Sequence, residues 1–250
     1  MNETKYKYCV VIAYDGTAYS GWQYQENAVG IQQVVEEAVG RIEGAPVRVR
    51  GSSRTDAGVH AKGYVADFCL THAIPPANLV RALNAQLPMA IRILRAKRVK
   101  DDFNAQLSAK GKEYRYQLYQ ADILPPHLAP YWAFTHRTLD LAAMQEAASY
   151  FVGKHDFVSF AANPNRPLAT TERTIFSFVI KRVGPRYTFI VRGDGFLYKQ
   201  VRSMVGFLLS VGKGNEKPIA VKELLEAKAP RTARVETAPG RGLFLWKVFY

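Results

Sequence analysis

Cysteine is scarce in this chain: 250 residues carry only Cys9 and Cys69, with no C-x-x-C pair. That excludes a disulfide framework and a cysteine-based zinc site, and leaves two thiols in apolar, strand-like segments that read as buried and free. Histidine is nearly as sparse, and the five at 60, 72, 127, 136 and 155 form no H-x-x-x-H pair. There is no Walker loop, no G-x-S-x-G and no G-x-G-x-x-G; "GDGFLYK" at 193–199 lacks the third glycine. Metal, nucleotide and redox cofactors therefore have no support, and any catalysis must come from side chains alone. No apolar run approaches the roughly 20 residues of a membrane helix. "MNETKYKYCVV" has neither the basic nor the apolar region of a signal peptide. A cytoplasmic protein with no membrane partner is expected.

Acidic residues are also in short supply. Lys and Arg number 34 against 21 Asp and Glu, a net charge of +13. Residues 1–105 hold 13 basic against 10 acidic residues, and 106–250 hold 21 against 11. Such an excess favours a polyanionic partner through counterion release and long-range attraction.

Tyr6–Tyr14 is β-rich and apolar, hence a strand. "IQQVVEEAVGRI" then places Ile31, Val34, Val35, Ala38, Val39 and Ile42 on one face of a helix that ends near Gly44. Val47–Gly51 reads as a short strand, Tyr64–Leu70 as an alternating one, Pro76–Ala85 as a helix and Ile91–Val99 as a strand. The order is βαββαβ. The second half repeats it with strand Lys112–Tyr119, helix Leu139–Phe151, strands Thr174–Arg182 and Arg186–Gly193 joined at Gly184-Pro185, helix Phe196–Val211 and strand Leu243–Tyr250. A lesser helix around Val221–Ala227 reads as an insertion. The expected class is α+β, with two ferredoxin-like βαββαβ halves, 1–105 and 106–250, sharing a central antiparallel sheet with helices behind it. The loops 120–137 and 161–173 carry Pro and Arg without a clear period and are expected to wrap a partner.

"GSSRTDAGVHAKGY", residues 51–64, does not look like scaffold. It packs Arg54, Asp56 and His60 between two apolar segments, with Gly58 two residues after the acid. A rigid frame would display Asp56 there, and Gly58 permits φ > 0 or the close approach of a ligand backbone. Facing a polyanion, a carboxylate is pushed toward its neutral form. A guanidinium, Arg54 or Arg202, would hold it ionised and ready as a nucleophile. The other reading makes Asp56 a turn former whose side chain bonds a nearby N–H. Residue types and spacing leave both open.

"SRTDAGVHA" (53–61) resembles the signature of the tRNA pseudouridine synthase A family. The resemblance continues in family order through "YDGTAYSGWQYQ" (14–25), "LNAQLP" (83–88), "KGKEYRY" (110–116), "GKHDFVSF" (153–160), "ERTI" (172–175) and "GFLYKQVRSMVGFLLSVGKG" (195–214). It implies the pseudouridine synthase fold, with the catalytic aspartate at Asp56, the tyrosine that packs on the target base at Tyr114 and the basic partner of the aspartate at Arg202. Residues 1–105 would carry the acid loop, and 106–250 the tyrosine and the basic partner. Tyr114, Arg54, Gly58, His60 and Lys199 are the candidates for substrate binding. The resemblance further implies a homodimer that isomerises uridine to pseudouridine at positions 38 to 40 of the tRNA anticodon stem-loop, without cofactor.

That chemistry suits these residue types. The N1–C1′ bond breaks, the uracil turns and C5 joins C1′, so no electrons or outside groups are needed. A carboxylate can act at C6 of the uracil or at C1′. A stacked base must first be flipped, at roughly a few kcal/mol, and stacking on Tyr114 returns about 1–3 kcal/mol. Tyr116 and Leu118 would share its face as an apolar wall. Arg54 has a phosphate contact, base ejection or a plain surface position open to it, and His60 an RNA contact or a loop-closing hydrogen bond. Trp22 and Tyr24 are expected to pack on the first helix, and "HDF" (155–157) to be structural.

Two departures from the family pattern stand out: Ser53 where many members have Gly, and "FNAQ" (103–106) where Phe-His-Ala-Arg is common. The second removes two cationic groups. A competing reading is a tandem RNA-binding protein without catalysis, since paired βαββαβ units also describe such arrays. "KGYVADFC" (62–69) falls where their aromatic motif would lie but meets only its opening positions.

Overall fold

Tyr6–Tyr14 forms strand β1, and the stretch Lys7–Val10 is buried on both faces. The computed structural model describes residues 5–162 and 170–250. After β1 come helix α1 (Ile31–Glu43), β2 (Arg50–Gly51), β3 (His60–Leu70), α2 (Pro76–Gln86) and β4 (Ile91–Arg98). β1 pairs antiparallel with β3 and β4, and β2 pairs antiparallel with β3. α1 buries Ile31, Val35, Ala38 and Val39, and stops at Gly44, whose φ of +78° lets its N–H cap the Gly40 carbonyl. Val34 and Ile42, expected on the same face, are only half-buried. α2 opens on a proline at its first turn and ends at Leu87, before Pro88.

The second unit runs through β5 (Gly111–Gln120), β6 (Ala133–Thr135), α3 (Leu141–Ser149), β7 (Gly153–Asp156), β8 (Glu172–Val183), β9 (Arg186–Gly193), α4 (Gln200–Gly212) and α5 (Ala220–Ala227). Its antiparallel order is β5-β9-β8-β7, with β6 parallel to the end of β5. Gly184 at φ +56° turns the β8–β9 hairpin, the two-residue connection that Gly-Pro foretold. Phe151, Phe160 and Phe207 meet edge to face at 4.9 and 5.8 Å and centre the core beneath α3 and α4. The chain is α+β, with mostly antiparallel pairing and, among the described residues, five α-helices.

Several boundaries differ from expectation for physical reasons. The division falls at Lys110/Gly111 rather than 105/106, and Phe244–Tyr250 belongs with the first unit. The reason is β10 (Leu243–Phe249), which pairs parallel with β3 at Phe244↔His60 and Leu245↔Ala61. The Lys110 N–H also bonds the Phe249 carbonyl at 2.8 Å, and the Tyr250 hydroxyl bonds that of Ala105 at 2.7 Å. β3 begins at His60, four residues ahead of Tyr64. Gly63 permits this, because a Cβ there would stand 2.5 Å from the Trp246 oxygen. α4 begins at Gln200 rather than Phe196, because Lys199 takes φ +59°. The loop 120–137 holds β6 and a 3-10 turn at Pro126–Leu128, with Trp132 edge-on to Tyr119 at 6.3 Å; part of it is packed. The loop expected over 161–173 lies mostly outside the described residues.

Among the described residues no helix is long and apolar enough to cross a membrane. Both cysteines are free, and burial pushes the Cys9 thiol up to about 11 against the pull of Lys97, which leaves it unreactive. Its strand neighbour Asp67 is fully buried. Asp67 Oδ2 lies 3.8 Å from Lys7 Nζ and 3.5 Å from Arg50, and Oδ1 accepts the Ala105 N–H at 2.7 Å. Replacing Asp67 by Ala would remove the acid beside the buried Lys7 ammonium, which keeps its bond to the Asp101 carbonyl at 2.7 Å, and orphan the Ala105 N–H. A loss of about 3 kcal/mol is expected in urea denaturation, well above that of an exposed acid such as Glu37→Ala.

Candidate active site

Asp56 sits in a loop that is clamped backbone to backbone. Segment 53–59 lies against 14–22: the Trp22 N–H donates to the Thr55 carbonyl at 3.1 Å, and the Gly58 N–H to the Tyr19 carbonyl at 3.3 Å. Glycine makes this approach possible. A Cβ on Gly16 would stand 2.0 Å from the Val59 oxygen, and one on Gly21 2.2 Å from the Thr55 oxygen. Side chains tighten the clamp. The Tyr14 and Thr55 hydroxyls are 2.8 Å apart, the Tyr64 hydroxyl donates to the Ser53 carbonyl, and Trp22 stacks on Tyr64 at 4.0 Å. Trp22 thus supports the loop as well as the start of α1.

Within the loop the Val59 N–H returns to the Asp56 carbonyl at 3.1 Å, and Gly58 has φ +71°. That is the geometry of a type II turn, which demands a positive φ at its third residue. A Cβ on Gly58 would meet nothing within 4 Å, so the backbone angle, rather than lack of room, selects glycine. It is the carbonyl of Asp56 that closes the turn. The residue is half-buried, and Arg54 and Ala57 beside it are exposed.

His60 opens β3 and is 1% exposed. Its Nδ1 accepts the Gly16 N–H at 3.1 Å and lies 3.2 Å from Asp15 Oδ1, and its ring stacks on Phe244 at 4.6 Å. Of the two roles expected for His60, this is the loop-closing one; for a substrate contact it offers almost no surface.

The other candidates lie in the second unit. Tyr114 stands opposite Val191 on β5, 5% exposed, and Phe196 meets it edge-on at 5.2 Å. Tyr116 and Leu118 share its face and are buried, so an apolar wall exists in this unit. The Tyr116 hydroxyl donates to the Pro239 carbonyl at 3.0 Å. Burial drives that phenol far above its ordinary range, opposed by the charges of Arg202 and Arg241. Both guanidiniums therefore lie near the strand that carries Tyr114. Arg202 is half-buried on the first turn of α4, and its Nε donates to the Ala238 carbonyl at 2.8 Å, which fixes the plane of the guanidinium. Lys199 precedes α4, its Nζ 5.0 Å from the Tyr198 ring centroid.

Asp56, Arg54, Gly58 and His60 thus belong to the first unit, and Tyr114, Lys199 and Arg202 to the second. Sequence reading missed Phe196, which it assigned to a helix, and Arg241, which no motif marks. It also missed the clamp, although glycines at 16 and 21 around an aromatic turn were the available signal.

The departures have local explanations. The Ser53 tether to Tyr64 uses main-chain atoms, so the side chain at that position does not alter it. Asn104 Oδ1 accepts the N–H groups of Gln106 and Leu107 at 2.9 and 3.0 Å, and its own N–H donates to Ser108 Oγ at 3.1 Å. It closes a turn. In "HDF", Asp156 caps the Val158 N–H at 2.9 Å and Phe157 is fully buried. Among the described residues no three His, Cys, Asp or Glu gather as a metal site.

Comparison with known proteins bears on the whole chain. A model of the family described as tRNA pseudouridine synthase matches residues 10–107 and 147–250. A tRNA pseudouridine synthase A 2 from Clostridium perfringens is 42% identical over 241 residues, 96% of this chain and 98% of that protein. Proteins named tRNA pseudouridine synthase A from Exiguobacterium sibiricum and Chlamydia trachomatis are each 44% identical. They cover 96% and 98% of this chain, and 94% and 92% of their own lengths. Among solved structures, one of a Cbf5-Nop10-Gar1 complex aligns with a TM-score of 0.32 at 14% identity, over 80% of this chain and 54% of that one, too slight a likeness to build on.

The clamp and the turn make separable demands on glycine. Gly58→Ala is expected to cost about 1–2 kcal/mol, the penalty of a left-handed backbone angle. Gly16→Ala is expected to cost more, because the Val59 backbone itself must move. Urea denaturation of the two variants checks the order, and equal costs would contradict the clamp.

Proposed function

Because the chain belongs to the tRNA pseudouridine synthase family, and is by that membership an isomerase, we propose that it converts uridine to pseudouridine at positions 38 to 40 of the tRNA anticodon stem-loop. Asp56 is the nucleophile, Arg202 its cationic partner, Tyr114 the ring on which the flipped base packs, and no cofactor takes part. The observation that carries this reading is an acid at the first position of a clamped type II turn, inside a chain more than 40% identical to named synthases over nearly its full length.

The chemistry needs an ionised oxygen held still beside an unstacked pyrimidine. The N1–C1′ bond breaks, the uracil turns about its ring, C5 bonds to C1′, the C5 proton leaves to solvent and N1 regains a proton. Product and substrate have the same atoms, and no electrons are exchanged. The carboxylate acts at C6 or at C1′; either route requires it to be charged, which is the task given to Arg202. A fixed loop lowers the entropy to be lost at the transition state, and the edge-on contact with the half-buried Phe196 at 5.2 Å holds the Tyr114 ring in one orientation. Substrate attraction falls to the net charge of +13. A cytoplasmic homodimer belongs to the same proposal.

The reading as a non-catalytic RNA-binding array is weaker on a specific ground. In "KGYVADFC", Tyr64 is committed to the clamp, its ring stacked on Trp22 at 4.0 Å and its hydroxyl on the Ser53 carbonyl, so the aromatic of that motif serves the loop.

Tritium release from tRNA labelled at uridine C5 tests the proposal. Wild type is expected to release it and Asp56→Ala to bind tRNA without release, a loss of at least three orders of magnitude in rate. Turnover surviving in the variant would end the nucleophile assignment. Wild-type affinity for tRNA is also expected to fall steeply between 50 and 200 mM salt; a flat response, measured by filter binding, would contradict electrostatic capture.

A further inference from the structure

Lys112 is the second residue of β5, two before Tyr114 and so on the same face of the strand. It is half-buried, and the residues across the sheet from it, Gly193 and then Ile175, bring no acceptor side chain. Among the described residues its ammonium has neither hydrogen bond nor ion pair. The nearby acids are engaged elsewhere. Glu113 faces the other way and is held by Arg115 at 2.8 Å and Arg192 at 3.9 Å. Asp194 Oδ1 accepts the Thr174 N–H at 3.0 Å, and Glu172 pairs with Lys154 at 3.1 Å. The charged group that acts on Lys112 is another cation, Arg173 of β8. Burial first, and then that guanidinium, bring the Lys112 ammonium down to about 8.

Arg173 Nη1 donates to the Thr170 and Glu172 carbonyls at 3.3 and 2.5 Å, but among the described residues neither cation has an ion pair, an arrangement costly until a negative charge arrives. The turn after β9 leaves room for one. A Cβ on Gly195 would lie 3.4 Å from Arg173 Nε, so glycine keeps that guanidinium uncovered, and the next residue, Phe196, is the one that meets Tyr114. Lys112, Arg173, Gly195, Phe196 and Tyr114 therefore share one end of the β5-β9-β8 sheet.

We propose that Lys112 and Arg173 form a phosphate site that holds a backbone phosphodiester of the RNA beside the base packed on Tyr114. The proposal rests on the reading of the chain as a tRNA-acting isomerase. Lys112 is here a positioning residue, and its charge is completed on binding.

The test compares full-length wild type with Lys112→Met and Lys112→Arg. Binding of tRNA is measured against salt at pH 7 and pH 9, with inorganic phosphate titrated in parallel. Lys112→Met is expected to make the slope of log affinity against log salt shallower by about one, and Lys112→Arg to retain it. Wild type is expected to lose affinity from pH 7 to pH 9, as the ammonium deprotonates near 8, while the arginine variant stays level. Lys112→Met is also expected to melt no lower than wild type, since it removes an uncompensated buried charge. An unchanged salt slope in Lys112→Met, with tritium release intact in wild type, would overturn the phosphate site and leave the enzymatic reading standing. So would tight binding of inorganic phosphate with no effect of the substitution on tRNA. A lower melting temperature with an unchanged slope would mark Lys112 as structural and likewise overturn it. Absence of both release and salt-dependent binding in wild type would remove the enzymatic reading and this site with it.

Discussion

Two residues without side chains, Gly16 and Gly21, let one loop lie on another at main-chain contact, and the placing of Asp56 depends on that. Each backbone hydrogen bond across the contact contributes only about 1 kcal/mol. Together with the Tyr14–Thr55 and Tyr64–Ser53 bonds and the Trp22–Tyr64 stack, they leave the loop little freedom. The turn bond from Val59 to Asp56 and the positive φ at Gly58 then set the direction in which the acid emerges. A carboxylate on a mobile loop would have to be ordered anew in each turnover; here that entropy is lost once, on folding.

The second unit applies the same economy to different chemistry. Tyr114 is held by the edge of Phe196, and Arg202 by a bond from its Nε to Ala238. Beneath them Tyr116 is locked as a donor to Pro239, its proton secured by burial. The candidate site side chains of this unit are thus each fixed by a neighbour. Lys112 and Arg173 stand apart from this pattern: among the described residues neither has an ion pair, and Arg173 meets only the Thr170 and Glu172 carbonyls. Stability given up at such a place is commonly a sign of function.

Much of the fold was legible in the chain. Periodicity located α1 from Ile31 and its end at Gly44, alternation located β5, and Gly184-Pro185 located the hairpin of β8 and β9. What escaped was set by contacts distant in sequence. The start of β3 at His60 follows from a parallel pairing with β10, some 180 residues on, which no local pattern encodes. The start of α4 depends on one left-handed residue, Lys199, a conformation lysine seldom takes and composition cannot reveal. For the site, Asp56 stood out by its neighbours and by family resemblance. The open choice at Gly58 needed coordinates, and His60 drew attention for its chemistry when its burial makes it a clasp.

The central claim is that the carboxylate of Asp56 acts directly on the target nucleotide. Fluorine at C5 of the uridine cannot leave as the proton does, so a tRNA substituted with 5-fluorouridine should stall the reaction after attack. Mass spectrometry of the digested complex reads the bond. Attachment through the peptide that carries Asp56, lost in Asp56→Ala, is the expected result. A stalled adduct on another residue, or one that persists in the variant, would contradict it.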